Sequence, residues 1–186
     1  GIGTGGRDVK KDVGGIMFIE GINALVNDDD TDVILLVSKK PDESVLNKIE
    51  ENILGIKKKI VTLFLGDKRE KRQNIFPTQT LEEASLTALY LSQNKDISLL
   101  KGIFEEESKR IKQLACNCLK NKRKDQKYIR GLFSGGTLCQ EAQLIIGKNI
   151  CELYSNSPIG NSKRIENSLK SYKNTRNLPC QPKNQK

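Results

Sequence analysis

Asp32-Val-Ile-Leu-Leu-Val-Ser38 is an apolar run of strand length that does not alternate with polar residues. That pattern belongs to parallel strands covered on both faces, whereas an antiparallel strand with one wet face alternates. The turn cluster Asn27-Asp28-Asp29-Asp30 leads into it. Upstream of the turn, Ile16, Ile19, Ile22, Asn23 and Val26 recur at helical spacing and predict a helix with one apolar face over 13–27. Downstream, Pro41 and a capping Asp42 open a second helix, carried by Val45, Leu46, Ile49 and Ile53 and closed near Gly55. Ile60-Val-Thr-Leu-Phe-Leu-Gly66 is the next strand, 66–79 reads as loop, and Thr80-Leu-Glu-Glu83 is a capping box that opens a third helix through Leu91.

This alternation predicts an α/β fold with an open, doubly wound parallel sheet over residues 1–93. Ligands of such sheets bind outside the carboxyl ends of the strands, here 1–6, 38–41 and the loop from Gly66 onward. The chain opens on the glycine turn, without the strand expected before it, and so reads as a fragment of a longer protein. Residues 94–127 read as a charged connector with a helix over 99–121. A second, truncated α/β unit over 128–155 follows, with a strand Tyr128–Phe133, a helix to Ile146 and a strand Asn149–Tyr154. Residues 156–186 read as an irregular tail.

Two glycine turns are candidate anion sites, because Gly-Gly lets the backbone approach a ligand and the amides of a following helix favour negative charge. The first is Gly3, Thr4, Gly5 and Gly6 with Arg7, before a helix expected to start near Asp12. The second is Ser134, Gly135, Gly136 and Thr137, whose hydroxyls would assist the amides. The alternative for each is a tight turn needed only for packing, with Arg7 a surface charge. Cys139, in the first turn of the second helix, is read as buried and inert rather than as a thiolate. Cys116 and Cys118 lack the partners of a zinc site and read as two cysteines on a helix. Lys68, Arg69, Lys71 and Arg72 form a basic loop at the sheet's carboxyl edge, read as exposed rather than phosphate-binding.

The chain has 186 residues, no histidine and five cysteines, and its formal net charge is +9. Residues 1–100 hold 14 Lys and Arg against 16 Asp and Glu, and residues 101–186 hold 18 against 7, so the excess is confined to the second part. That excess is mostly Lys in a linker and a tail with few aromatic residues, which disfavours nucleic acid as the partner. Neither a membrane span nor a signal peptide is indicated, and the irregular cysteines form no disulfide framework, so a cytoplasmic location is expected.

Gly1-Ile-Gly-Thr-Gly-Gly-Arg-Asp-Val9 with Val13-Gly-Gly-Ile-Met17, and Arg130-Gly-Leu-Phe-Ser-Gly-Gly-Thr-Leu-Cys139 with Tyr154-Ser-Asn-Ser-Pro158, resemble the FdrA family, over roughly residues 1–158. The family is related to succinyl-CoA synthetases and other acyl-CoA synthetases. The resemblance implies a flavodoxin-like, succinyl-CoA synthetase-like domain over 1–93 and the start of a CoA-ligase-type domain from Tyr128. The family's amino-terminal CoA-binding domain and its later portion are absent from this sequence, and residues after Ser171 leave its pattern. Synthetases of the wider group carry a phosphohistidine on a loop that would fall after Gly66. Here the loop is Asp67-Lys-Arg-Glu-Lys-Arg-Gln-Asn-Ile-Phe76, which holds no residue for that chemistry.

The resemblance therefore implies altered chemistry on a synthetase scaffold, associated with oxalurate and oxamate carbamoyl transfer in purine and allantoin breakdown. The expected ligand is a small anionic substrate, a carboxylate or an acyl or carbamoyl phosphate. The full-length protein would be a CoA-ligase-like enzyme or a carbamoyltransferase subunit, with CoA or a nucleotide left open as cofactor and with partner subunits. The alternative is a non-catalytic scaffold or regulatory subunit. No metal site and no catalytic residue is assigned, and the fragment alone is expected to be inactive.

Overall fold

Val33–Lys39 forms β1 and Lys59–Leu65 forms β2 in the computed structural model, which describes residues 1–120, 123, 128–148 and 152–166. Both strands are rich in the branched residues that suit a pleated surface. They pair in parallel, from Val33 opposite Lys59 to Lys39 opposite Leu65. The connection between them is the helix Glu43–Ile53, and the helix Ile16–Val26 precedes β1; in chain order these are α1 (16–26) and α2 (43–53). A third strand, β3 (Ile75–Pro77), pairs in parallel with β2, giving the order β1-β2-β3. It lies within the segment read from sequence as loop, where only Ile75 and Phe76 are apolar. Its anchor is tertiary: Thr78 donates to the Thr62 carbonyl through both its amide (2.8 Å) and its hydroxyl (3.0 Å).

Helices cover both sides of this sheet. Ile34 and Leu36 of β1 and Ile60 and Phe64 of β2 join Ile22 of α1 and Val45, Leu46, Ile49 and Ile53 of α2 in one buried cluster. By strand alternation, Val61, Leu63 and Leu65 face the other way. There α3 (Leu81–Ser92) contacts both β1 and β2 and buries Ala84, Thr87 and Leu91. The expectation of a β1 covered on both faces needs correction, because Leu35 and Val37 remain 40% and 37% exposed. β1 is an edge strand, and its neighbour β2, with Ile60 to Leu65 all buried, is the central one.

The helix ends follow local chemistry. Asp42 accepts from the Ser44 amide (3.1 Å) and hydroxyl (2.7 Å) at the start of α2. Those bonds, led by the one from the Ser44 hydroxyl, hold the Asp42 carboxyl below its ordinary pKa. Its contribution to stability is thus present above the unfolded carboxylate pKa and is lost as pH falls through the lower folded value. At α3 the Glu83 amide donates to Thr80 Oγ1 (3.1 Å), while the Glu83 carboxylate reaches back to the Gln79 amide (2.7 Å). Lys58 donates to the Leu25 carbonyl (3.1 Å), in the last turn of α1, and Lys59 to the Leu91 carbonyl (3.0 Å), in the last turn of α3. Both cations sit where helix dipoles are negative.

The chain divides into two compact units, Gly1–Glu105 and Glu106–Lys186. A short 3-10 turn, Ile97–Leu99, capped by Asp96, runs into α4 (Leu100–Lys120), which crosses that boundary. The second unit contains α5 (Gly136–Ile146) and two short parallel strands, β4 (Tyr154–Ser155) and β5 (Lys163–Arg164). The strand expected at Tyr128–Phe133 does not form. Only Tyr128 at its start forms a bridge, and Ile129 to Phe133 run without strand structure, with Leu132 fully exposed. Of the strand expected at Asn149–Tyr154, residues 149–151 lie outside the described residues, as do residues 167–186 of the expected tail. Among the described residues, no helix is long and apolar enough to cross a membrane, and no group of three or more His, Cys, Asp or Glu could hold a metal ion.

Candidate functional site

The first glycine turn does not feed a helix. Helix α1 starts at Ile16, after a run of turns, and its N-cap is Gly15 in the left-handed conformation. The anion at that N-terminus is the chain's own. Asp8 is buried, and its two carboxylate oxygens accept from the amides of Met17 (3.0 Å) and Phe18 (2.8 Å). The expectation of an open helix N-terminus near Asp12 is thereby corrected: the amides in question are already satisfied. Gly3, Gly5, Gly6 and Arg7 are exposed and Thr4 is half-buried. Gly6 approaches the Lys39 side chain at the carboxyl end of β1, so the loop does lie at that edge of the sheet. Arg7 makes no hydrogen bond or ion pair among the described residues.

In the basic loop after β2, Arg69 is neutralised. Arg69 pairs with Glu43 (3.2 Å), Asp67 (3.2 Å) and Glu50. Partial burial opposes its charge, but these carboxylates outweigh it and hold the guanidinium pKa above its ordinary value. Lys71 lies over the Phe76 ring, 4.7 Å from its centroid. Three carboxylates around Arg69 leave it little free charge for a phosphate, and Lys68, Lys71 and Arg72 are exposed, as expected of a charged surface loop.

The second turn keeps its opening. Gly135 (φ 93°, ψ 157°) adopts a conformation essentially closed to other residues, and α5 starts directly after it. Gly135 has no side chain to cap this helix, so the first-turn amides of Gly136, Thr137 and Leu138 lack an intrahelical acceptor and, among the described residues, a side-chain one. Gly135, Gly136 and Cys139 line a cleft of about 510 Å³ together with Phe133, Ser155 and Ser157. Ser134 is exposed and Thr137 half-buried, and neither hydroxyl bonds a described residue. Gly131 lies under the Phe133 ring, where an added Cβ would fall 2.6 Å from a ring carbon.

The lining of this cleft is mostly apolar, with Ile129, Leu132, Phe133, Ile146, Leu153 and Ile165, but Gln143, Ser155 and Ser157 on it belong to a polar network that sequence reasoning missed. Gln140 and Gln143 of α5 are buried while Leu138 and Ile145 are each 52% exposed, the reverse of an ordinary amphipathic helix. Gln143 Nε2 donates to the carbonyls of Cys139 and Ser157 (each 3.0 Å), and its Oε1 accepts from Ser162 Oγ (2.7 Å). Gln140 Nε2 donates to Ser157 Oγ (3.1 Å), and the Ser157 amide to Ser155 Oγ (3.0 Å). Cys139 is half-buried; its Sγ lies 3.3 Å from Gln143 Nε2 and 3.7 Å from Ser155 Oγ. Cys116 and Cys118 are exposed on α4, whereas Cys151 and Cys180 lie outside the described residues.

Residues 156–166, assigned from sequence to an irregular tail, thus supply half of this network. The available signal was the glutamine pair three residues apart, facing a serine-rich segment. Gln143→Leu keeps the volume but strands the acceptors around it, and should cost the second unit about 2 kcal/mol. Urea unfolding followed by amide signals of that unit measures it.

No protein-family model matches the chain. It is similar to the Uncharacterized protein YahF of Escherichia coli (strain K12), at 33% identity over 180 residues. The match covers 94% of this chain but 33% of that protein, so the chain spans about a third of the relative's length.

Proposed function

We propose that the chain is part of an FdrA-type, acyl-CoA-synthetase-like protein, and that the N-terminus of α5 receives the carboxylate or the acyl or carbamoyl phosphate it handles. The observation that carries this reading is the turn at Gly135, uncapped among the described residues, whose amides open beside a cleft large enough for a small anion. The parallel sheet with helices on both sides is compatible with the flavodoxin-like domain of succinyl-CoA synthetases and supports the family reading. Fixed amide donors stabilise charge on a phosphate or carbonyl oxygen, and Ser155 and Ser157, set in a mostly apolar lining, orient the rest of the molecule. Carbamoyl transfer of the oxamate or oxalurate type needs no more from this segment than positioning and oxyanion stabilisation. A phosphohistidine step on this segment is excluded, since the chain has no histidine.

A second reading, a scaffold subunit that kept the fold, is favoured by Asp8. Of the two helix N-termini expected to bind anions, one is permanently filled by a side chain.

Proline at the first helical position removes one amide without breaking the helix. Gly136→Pro should therefore weaken carbamoyl phosphate binding about five- to tenfold, or about 1–1.5 kcal/mol, with helix content unchanged. Amide shifts of the labelled chain on titration report both affinity and place. If Gly136, Thr137 and Leu138 do not respond up to about 10 mM ligand, the anion site is wrong and the scaffold reading gains.

A further inference from the structure

The cleft beside the Gly135 turn is too large for an anion alone. A carboxylate or phosphate head has about the volume of three water molecules, at about 30 Å³ each, and fills roughly a fifth of a cleft of about 510 Å³. Clefts of this size bury most of a ligand that has a body as well as a head. This one follows a single face of α5. Gly136, Cys139, Gln143 and Ile146 line it at spacings of three and four, over about 15 Å of helix.

Beyond the turn the lining is apolar. Ile129, Leu132 and Phe133 precede the turn, Ile146 ends α5, Leu153 lies just before β4 and Ile165 just after β5. Ile129, Leu132 and Phe133 are exposed, so the packing of the unit does not consume them. The Phe133 ring sits over Gly131, where any added Cβ would displace it. The polar side chains between them are mostly engaged by the chain itself. Gln143 spends its amide hydrogens on the Cys139 and Ser157 carbonyls and its oxygen on the Ser162 hydroxyl. The hydroxyl oxygens of Ser155 and Ser157 accept from the Ser157 amide and from Gln140 Nε2. A polar body would therefore give up water for few new bonds, whereas an apolar body releases water from apolar surface.

Resting on the anion reading of the Gly135 turn, we propose that the ligand is a monocarboxylate with an apolar arm of about six to ten carbons. Its carboxylate lies on the amides of Gly136, Thr137 and Leu138, and its arm runs along the α5 face toward Ile146. Each carbon needs about the volume of a water, so such an arm fills about 180–300 Å³ of the remaining space. The acyl group handled is then an apolar one of medium length, and carbamoyl phosphate fills only the head of the site.

Titrations of the labelled full chain at constant ionic strength test this with acetate, octanoate, octylammonium and carbamoyl phosphate. Amide shifts of Gly136, Thr137 and Leu138 report the head, and methyl shifts of Ile146 and Leu153 report the arm. Full burial of a methylene is worth about fourfold in affinity, and an open cleft should return about half of that free energy, or about twofold. Octanoate should thus bind with Kd on the order of 1 mM, about 60-fold tighter than acetate. Octylammonium, with the same arm and the opposite charge, should bind at least about tenfold more weakly than octanoate. Ala142→Leu places a larger side chain on the lining beside Gln143 and should cut the octanoate-to-acetate ratio to below about 10. Leu132→Asn, at a fully exposed position where folding is not at stake, should cut it to about 20.

Octanoate binding no tighter than acetate, with carbamoyl phosphate still shifting the three amides, overturns the apolar arm and leaves the anion site standing. Octylammonium binding as tightly as octanoate, or three amides silent to every anion, removes the anion site itself and the arm with it. A ratio undiminished in both Ala142→Leu and Leu132→Asn puts the arm outside this cleft and overturns the proposal equally.

Discussion

Asp8→Ala is expected to remove about 2–3 kcal/mol from the stability of the first unit, seen as a lower urea midpoint with an unchanged slope. Asp8 is 4% exposed, and its carboxylate is the acceptor for two amides in the first turn of α1. Alanine leaves both donors without a partner where water has little access, and removes the negative charge from the positive end of the helix dipole. Asp8→Asn retains one acceptor oxygen and should lose about half as much. The result separates two roles for an acidic residue beside a glycine turn. A side chain that serves substrate leaves stability unchanged when removed and alters binding, whereas a cap does the reverse. A loss below about 0.5 kcal/mol would rule out the capping role.

Asp8 also marks where sequence reading stops. The caps at Asp42 and at Thr80 with Glu83 were legible because their partners lie two to four residues away, within reach of a local pattern. Asp8 bonds amides nine and ten residues ahead, and no short motif encodes that. The cores of β1, β2, α2 and α3 were legible for the same local reason: the period of their apolar residues fixes their type. The glycines of the first turn were legible as glycines, but the position of the helix after them was not. Gly14 and Gly15 both take positive φ, and α1 can begin only beyond them.

The second unit divides along the same line. The Ser134-Gly135-Gly136-Thr137 turn and its helix were readable, since one glycine in a conformation closed to other residues and a helix start are both local. The cleft was not, because it exists only where 152–166 packs along α5 and buries Gln140 and Gln143. The same dependence explains the missing strand at Tyr128–Phe133. Composition gave its residues strand character, but a strand is a relation between two segments, and here pairing stops at the single bridge of Tyr128.

Gly15→Ala should destabilise the first unit by about 2–4 kcal/mol through two separable terms. The backbone there has φ 77° and ψ 23°, which costs an L-residue about 1 kcal/mol or more. In addition, a Cβ would fall 2.6 Å from Val45 Cγ1, a contact that α1 and α2 can relieve only by moving apart. Gly14→Ala isolates the first term. Its φ is 81°, but the nearest atom to an added Cβ is the flexible end of Lys48 at 3.6 Å. Val45→Ala isolates the second, because in that background the new methyl group meets space instead of a branched side chain. The double mutant cycle should therefore return a coupling of about 1 kcal/mol or more, with Gly15→Ala less harmful when Val45 is already truncated. If Gly14→Ala and Gly15→Ala cost the same, the close approach of α2 contributes nothing. The left-handed backbone would then be the sole reason for glycine at the start of α1.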